Sequence, residues 1–171
     1  EMVIDENATY VATISTNKGD MTFELNTEAA PTTVNNFICL ATNDFYDIVL
    51  FHRVIDEFMI QSGDPTGTGA GDPGYRFDDE LPGDGLEYTK GTLAMANAGP
   101  NTQGAQFFIV DADLGDGLAK DYTIFGQMIE GEDVLDTISG TSVEPNERGE
   151  PSRPTEYLVI YDVTITTASE S

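Results

Sequence analysis

The sequence predicts a mainly β protein, an antiparallel barrel of about eight strands with two helices. Short apolar runs of alternating polarity recur along the chain between turn residues, which is the pattern of half-buried strands. Only two segments have helical spacing, and they do not alternate with the strands as a βαβ fold requires. The 171 residues, 39% of them apolar, suffice for one core. We therefore predict a single domain over residues 9–167, with tails at 1–8 and 168–171.

The first half of the chain predicts a hairpin, a helix and two strands. The alternating segments Tyr10–Thr16 and Met21–Leu25 flank a turn, as in a β-hairpin. Pro31 then opens a helix, since proline is favoured at the first helical position. The apolar residues of this helix share one face and are Val34, Phe37, Ile38 and Ala41. Two short strands follow, at Phe51–Val54 and Phe58–Ser62.

The second half begins with a long connection and then returns to strands. Residues 63–91 are rich in glycine and proline, and a loop of this length in a compact domain is usually functional. A short helix is predicted at Glu132–Ser139, with acids in its first turn and Gly140 just past its end. The other apolar runs predict strands at Thr92–Asn97, Gln106–Val110, Thr123–Met128 and Tyr157–Thr166.

The chain is strongly acidic, with 31 Asp and Glu against seven Lys and Arg and a net charge of −24. So few bases argue against nucleic acid, which is bound through its phosphates, and against an anionic membrane surface. At molar salt the Debye length falls to about 3 Å, which screens the self-repulsion of such a chain. We therefore expect a halophilic protein with an acidic surface, in a salt-rich cytoplasm. The alternative is a calcium-binding acidic surface.

Several motifs that could carry other chemistry fail on their context. The glycine pattern at 69–74 contains Pro73 and cannot lead into the helix that a dinucleotide site requires. The acidic loop at 111–117 is out of register with a calcium loop. His52 is the only histidine, which excludes multi-histidine zinc sites, and Cys39 is the only cysteine, which excludes an internal disulfide. No cofactor or metal is expected.

Arg53 lies in the most apolar stretch of the first half, residues 51–61. Arginine is seldom buried without a partner because desolvating an unpaired charge is costly. A chain with so few bases that keeps one among Phe and Met side chains indicates a functional cation. The alternative is a solvent-facing arginine on an alternating strand.

Two segments together resemble the cyclophilin family of peptidyl-prolyl isomerases. The first is Phe51-His52-Arg53-Val54-Ile55, continuing to Phe58-Met59-Ile60-Gln61. The second is the run Ala-Asn-Ala-Gly-Pro-Asn-Thr at 96–102, followed by Gly-x-Gln-Phe-Phe-Ile at 104–109. This second run is long and highly specific, and the resemblance extends from about Tyr10 to Thr166.

The resemblance implies a closed eight-stranded antiparallel barrel, capped by two α-helices, with the active groove on its outer face. It implies a monomer without a cofactor that acts on proline-containing peptides and on unfolded or folding protein clients. Cyclosporin-type inhibitors are further candidate ligands. The alternative is a proline-peptide binding module of the same fold with little catalysis.

The resemblance also assigns the site residues by their motif positions. Arg53 is implied as the catalytic arginine, His52 as the active-site histidine and Gln61 as the residue that orients Arg53. The implied substrate-binding residues are Phe58, Met59, Ala96, Asn97, Ala98, Gln106, Phe108, Leu118 and Tyr122. By composition alone, Phe58, Met59 and Phe108 would instead be core. The chain departs from the family before Leu118, where a large aromatic is common and this sequence has Gly117 and no Trp.

Overall fold

The computed structural model describes residues 2–168, so Glu1 and residues 169–171 of the predicted tails lie outside the described part. The elements of this part are β1 (Thr9–Thr16), β2 (Gly19–Leu25), α1 (Pro31–Thr42), β3 (Val49–Leu50), β4 (Arg53–Ile55), β5 (Met59–Ser62), β6 (Thr92–Met95), β7 (Phe107–Val110), a 3-10 turn (Gly115–Gly117), β8 (Ile124–Glu130), α2 (Glu132–Ser139), β9 (Val143–Pro145), β10 (Pro151–Pro154) and β11 (Val159–Ala168). The prediction of a mainly β chain with two helices is confirmed. The division into one domain and two tails stays a prediction.

The predicted hairpin and first helix are both present. β1 and β2 pair antiparallel with Ile14 opposite Met21, and both side chains are fully buried. α1 begins at Pro31 and buries the predicted apolar face. Its first turn is capped by Glu80 of the long loop, whose carboxylate accepts hydrogen bonds from the backbone N–H groups of Thr32 and Thr33 at 3.0 and 2.8 Å. The 63–91 loop is therefore tied to the helix by a charged cap.

The main sheet is antiparallel and has nine strands, in the order β3-β11-β1-β2-β8-β6-β7-β5-β4. We predicted eight strands, and the additional one is β3, which lies just before the predicted strand Phe51–Val54. Only Arg53 and Val54 of that prediction lie in an observed strand, β4. β3 pairs with β11, whereas β4 pairs with β5, so Phe51 and His52 lie between two ladders.

The two ends of this sheet lie close together, because β3 and β4 are terminal in the strand order but are joined by only two residues. The three Cα–Cα steps from Leu50 to Arg53 span at most about 11 Å. The sheet is therefore strongly curled. Among residues 2–168 no ladder joins β3 to β4, so closure into an eight-stranded barrel stays a prediction.

A separate two-stranded ribbon of β9 and β10 packs beside β4 and was not predicted. Its strands are short and contain Pro145, Pro151 and Pro154. Proline cannot donate to a ladder, and a sequence pattern with this much proline does not indicate a strand. The ribbon nevertheless forms one side of the groove described below.

Strands β4 to β7 carry apolar side chains on both faces of the sheet. Because successive side chains of a strand point to opposite faces, alternate residues separate into two clusters. The inner face joins the main core through Val54, Ile60, Leu93, Phe107 and Ile109. The outer face forms a second cluster through Met59, Ala94, Phe108 and Val110, together with Tyr88 and Ile124.

Within residues 2–168, neither helix combines the length and the apolar character that crossing a membrane requires. In the same part of the chain, no three His, Cys, Asp or Glu side chains are grouped so that they could hold a metal ion.

Candidate active site

A groove of about 640 Å³ lies on the outer face of the sheet, beside the second apolar cluster. It is lined by every predicted site residue except Ala98 and Gln106. Ala98 lies outside the lining, and its backbone N–H donates to Thr102 Oγ1 at 2.8 Å. The groove is also lined by Gly67, which the resemblance roughly matches to a groove glycine, and by residues that we did not predict: Thr68, Gly69, Ala70, Asn146, Glu147, Arg148, Glu150 and Arg153.

The ladder register explains why Arg53 and the apolar residues share one face. Arg53 of β4 is the cross-strand partner of Gln61 in β5, and Gln61 is the partner of Phe108 in β7. Cross-strand partners point to the same face of a sheet. Met59 lies two residues before Gln61 and therefore points the same way. The sheet thus places a cation, an amide and an apolar floor in adjacent positions.

The floor of the groove is apolar and well packed. Met59 and Phe108 are only 1% and 5% exposed, and Phe58 and Leu118 pack against them as partly buried neighbours. The ring of Tyr122 meets that of Phe108 edge-on, at a centroid distance of 5.5 Å and an interplanar angle of 88°. These residues are both core-like, as their composition indicates, and part of the groove.

The guanidinium of Arg53 is held by two side chains. Its Nε and Nη2 donate to the two carboxylate oxygens of Glu150 at 2.8 and 3.0 Å, which is a bidentate ion pair. Its Nη1 donates to Gln61 Oε1 at 3.3 Å. The side chain of Arg53 is 34% exposed, so it lies at the edge of solvent. Arg53 is therefore paired and also accessible from the groove, and its role as a functional cation stays a prediction.

Gln61 is the first member of a hydrogen-bonded chain that runs along the wall of the groove. Its Nε2 donates to Gln106 Oε1 at 3.0 Å, and Gln106 Nε2 donates to the carbonyl oxygens of Gly69 and Gly71, each at 3.0 Å. Gln106 therefore supports the site from behind and does not line it.

This series of hydrogen bonds ends at Asp64, a fully buried carboxylate in the long loop. The backbone N–H groups of Gly69 and Gly71 donate to its Oδ2 at 2.7 and 3.0 Å, and Thr66 donates to Oδ1 through both N–H and hydroxyl. Burial alone would raise the pKa of Asp64, but the hydrogen bonds from Thr66, Gly71 and Gly69 outweigh it and lower the pKa to about 2. Asp64 is thus ionised at neutral pH and fixes the loop against which Gln106 rests.

His52 lies between β3 and β4, where the chain changes partner. Burial lowers its pKa from 6.5, and the positive charge of Arg53 acts in the same direction, against the opposing effect of Asp64. The imidazole is therefore neutral at pH 7. Its Nδ1 is buried and has no hydrogen-bond partner within residues 2–168.

The far rim of the groove is formed by Asn97 and Tyr122, which other groups hold in place. Asn97 Nδ2 donates to the carbonyl oxygen of Asp121 at 2.9 Å. The hydroxyl of the fully buried Tyr88 donates to the carbonyl oxygen of Tyr122 at 2.7 Å and accepts from its N–H at 3.2 Å. Burial raises the pKa of Tyr88 to about 12, so its hydroxyl stays a donor at neutral pH.

Sequence reasoning did not find Glu150, Tyr88 or Asp64. Glu150 and Tyr88 bind predicted site residues directly, and Asp64 is linked to Gln106 through the backbone of Gly69 and Gly71. The need of Arg53 for an anionic partner was evident, but the sequence has 31 carboxylates from which to choose. Glu150 lies 97 positions away, in the turn between β9 and β10, and the prolines of these two strands prevent their prediction from sequence. For Asp64, the following run of glycine and threonine is the pattern of a carboxylate that binds backbone N–H groups.

Comparison with known proteins identifies the family. The family model described as cyclophilin type peptidyl-prolyl cis-trans isomerase/CLD matches residues 11–165. The peptidyl-prolyl cis-trans isomerase A of Mycobacterium tuberculosis is 46% identical over an alignment of 176 positions, and the match covers 92% of this chain and 93% of the relative.

Solved structures agree with this assignment. The crystal structure of a cyclophilin type peptidyl-prolyl cis-trans isomerase from Cryptosporidium parvum has a TM-score of 0.85 and 36% identity, and the match covers 94% of this chain and 99% of that chain. A structure of the same protein in the presence of the dipeptide Ala-Pro has a TM-score of 0.84 and 37% identity, with coverages of 92% and 99%.

The fold and these matches define an isomerase of the class that acts on peptidyl-prolyl bonds. The chain belongs to the cyclophilin-type peptidyl-prolyl cis-trans isomerase family, and the resemblance stated from the sequence is confirmed.

Proposed function

We propose that this chain accelerates rotation about X-Pro bonds in peptides and folding proteins by holding the proline ring on the apolar floor and donating a hydrogen bond from Arg53 to the prolyl nitrogen. The observation that carries this proposal is the position of a guanidinium beside a buried apolar floor in one groove, with two of its N–H groups unengaged by any residue of the described part of the chain.

The reaction requires no nucleophile. Amide resonance gives the C–N bond double-bond character, with a rotational barrier of about 18–20 kcal/mol. Twisting the bond localises the lone pair on the prolyl nitrogen and restores carbonyl character to the C=O. An enzyme must therefore bind the twisted state better than either planar state.

The apolar floor suits the proline ring. Phe58, Met59, Phe108 and Leu118 offer an apolar surface without a hydrogen-bonding demand, and Tyr122 extends it. A ring seated there excludes water from the rotating bond, and electrostatic interactions are stronger when water is excluded. Ala96 and Asn97 lie on the far rim, where an extended peptide would cross the groove.

The guanidinium suits the developing lone pair. Arginine stays charged at any physiological pH and presents its donors in a rigid plane. A hydrogen bond to the prolyl nitrogen forms only once the lone pair has appeared, so it stabilises the transition state and not the ground state. A preorganised donor of this kind contributes on the order of 3–4 kcal/mol.

The substrate class follows from this arrangement and from a related protein. The Cryptosporidium parvum structure was determined in the presence of Ala-Pro, which is the minimal X-Pro unit. Short Ala-Pro peptides and proline-limited refolding proteins are therefore the substrates to test first. Cyclosporin-type ligands would occupy the same apolar floor.

The test is the cis-to-trans conversion of a short Ala-Pro peptide. Arg53→Ala should lower kcat/KM by about a hundredfold or more while the fold survives. The matched control is Arg76→Ala, because Arg76 is exposed, does not line the groove and has no ion pair among residues 2–168. Near-wild-type turnover of Arg53→Ala would contradict the assigned role. Peptide binding by the wild type without any acceleration would select the binding module instead.

The acidic composition supports a salt-adapted protein of the cytoplasm as part of the proposal. With a net charge of −24, screening at molar salt should stabilise the folded state. Thermal unfolding across a salt series tests this, and a higher melting temperature in dilute buffer than at molar salt would refute it.

A further inference from the structure

The groove contains an ion pair between Arg53 and Glu150, and the proposed function assigns no role to Glu150. Glu150 binds one edge of the Arg53 guanidinium through Nε and Nη2, at 2.8 and 3.0 Å. Arg53 belongs to the nine-stranded sheet, whereas Glu150 precedes β10 of the separate ribbon. The ion pair therefore connects the nine-stranded sheet to the two-stranded ribbon at the proposed catalytic group.

The geometry of the pair leaves part of the guanidinium free. Arginine has five N–H donors in one plane. Glu150 takes Nε–H and one N–H of Nη2, and Gln61 takes one N–H of Nη1. Among residues 2–168, one N–H on each terminal nitrogen has no acceptor, so the group keeps two free donors while Glu150 occupies its side. Two fixed acceptors on different atoms also define the plane of the group.

Glu150 is itself held in position. Its backbone N–H donates to Asn146 Oδ1 at 3.0 Å, and the same oxygen accepts from Arg148 N–H at 2.9 Å. Its carbonyl oxygen accepts from Asn146 N–H at 2.7 Å, which closes the turn of the ribbon. The hydrogen bonds from Arg53 lower the pKa of Glu150 to about 2, against the opposing effect of burial. The carboxylate is therefore ionised throughout the neutral range.

From this geometry we infer that Glu150 is a positioning residue for the isomerase reaction: it fixes the plane and direction of Arg53 so that a free N–H faces the prolyl nitrogen as the bond twists. The inference rests on the proposed role of Arg53. Gln61 alone would hold the group by one bond of 3.3 Å, which leaves rotation about the terminal bonds of the side chain unrestrained. A donor that must first be oriented loses the advantage of preorganisation.

If Glu150 had a structural role, different results would be expected from those for a positioning role. Arg53 and Glu150 are 34% and 35% exposed, and ion pairs this accessible contribute little to folding stability. Removing Glu150 should therefore change kcat much more than it changes the melting temperature. Glu150 also offsets part of the Arg53 charge, so if charge alone mattered its removal would speed the reaction. The sign of the effect on kcat thus decides between orientation and charge.

The experiment compares Glu150→Ala and Glu150→Gln with a matched control in the same ribbon. Glu144→Gln also removes one negative charge and also breaks an Arg–Glu pair, that with Arg153, but it leaves Arg53 untouched. We expect kcat to fall about tenfold for Glu150→Ala and about threefold for Glu150→Gln, which keeps one acceptor, with KM within about twofold. Glu144→Gln should stay within about twofold of wild type in both constants.

A double-mutant cycle with Arg53→Ala completes the test. If Glu150 acts through Arg53, adding Glu150→Ala to Arg53→Ala should cause no further loss. An additive loss, an unchanged or higher kcat, or a loss confined to KM would each overturn the positioning role. If Arg53→Ala itself keeps full turnover, the proposed function fails and the inference fails with it. If Arg53→Ala loses activity but Glu150→Ala does not, only the inference fails.

Discussion

The wall of the groove that the sheet forms and the wall that the ribbon forms differ in what holds them. The sheet wall, defined by Arg53, Gln61, Met59 and Phe108, is hydrogen-bonded across three neighbouring strands and lies over the main core. The ribbon wall runs from Asn146 to Arg153, and two short strands and one asparagine side chain hold its turn together. The first wall combines two apolar side chains with an amide and a cation, whereas the second is mostly charged.

The two walls therefore have different roles in positioning one residue, Arg53. The sheet fixes where the backbone of Arg53 lies, because β4 is paired with β5 through Gln61. The ribbon fixes how its side chain is turned, because Glu150 binds the edge of the guanidinium. A long flexible side chain needs both, since backbone position alone leaves several rotatable bonds free.

The largest effect is expected from two adjacent phenylalanines of β7 that face opposite sides of the sheet. Phe107 is fully buried in the main core and meets Phe37 and Tyr46 edge-on, so Phe107→Ala should lower the free energy of unfolding by about 3–5 kcal/mol. Phe108 lies on the floor of the groove, so Phe108→Ala should cost less stability but should lower kcat/KM at least tenfold, in keeping with loss of the surface that holds proline. Denaturant unfolding and the peptide assay, normalised to the folded fraction, measure both.

Each variant is the control for the other, because the two positions share strand, residue type and substitution. Equal losses of kcat/KM per folded molecule would show that the outer face of the sheet has no special part in the reaction, and the comparison of the two faces would fail.

A smaller effect is expected from Asp64, which anchors the chain of hydrogen bonds behind the sheet wall. In Asp64→Asn an amide N–H₂ would face the N–H groups that now donate to a carboxylate oxygen, at a cost of about 1–3 kcal/mol. The pKa of Asp64 is lowered to about 2 in the folded state, so its stabilising contribution is complete above the unfolded value of 3.8 and is lost as the pH falls towards 2.

Urea unfolding of wild type and Asp64→Asn between pH 7 and pH 2 tests this assignment. The difference in unfolding free energy should be constant above about pH 4 and should shrink below it. A difference that grows on acidification would contradict the sign of the pKa shift.

The sheet wall could be predicted from sequence and the ribbon wall could not, for physical reasons. The residues of the sheet wall lie in or beside short apolar segments that predict strands, and the specific run at 96–109 identifies the family. Phe58, Met59 and Phe108 needed the resemblance, because an apolar side chain on the outer face has the same sequence pattern as one in the core. The change of partner strand from β11 at Leu50 to β5 at Arg53 depends on the curl of the whole sheet, which no local pattern records.

The pairing of Arg53 with Glu150 lies beyond local reasoning for a different reason. Arg53 stands out locally, but Glu150 does not: the turn at 146–150 depends on Asn146, and the choice of this carboxylate depends on how the ribbon packs beside β4. Long-range ion pairs of this kind are properties of tertiary structure. By contrast, both helices were predictable because their signals are local: Pro31 and the apolar spacing for α1, and the acids of the first turn and Gly140 for α2.

The smallest effect on stability is expected at Gly117, which directly precedes the groove residue Leu118. A Cβ added there meets no atom within 4 Å, and its φ is not in the left-handed region, so Gly117→Trp should change the unfolding free energy by less than about 0.5 kcal/mol. The added ring would lie next to Leu118 and extend the apolar floor, which should lower KM for Ala-Pro peptides about two- to fivefold with kcat unchanged. Because the chain has no tryptophan, the new side chain is also the only indole, and its fluorescence should respond to peptide. An unperturbed emission spectrum at saturating peptide, together with an unchanged KM, would place this position outside the binding surface and leave the two walls as the whole of the site.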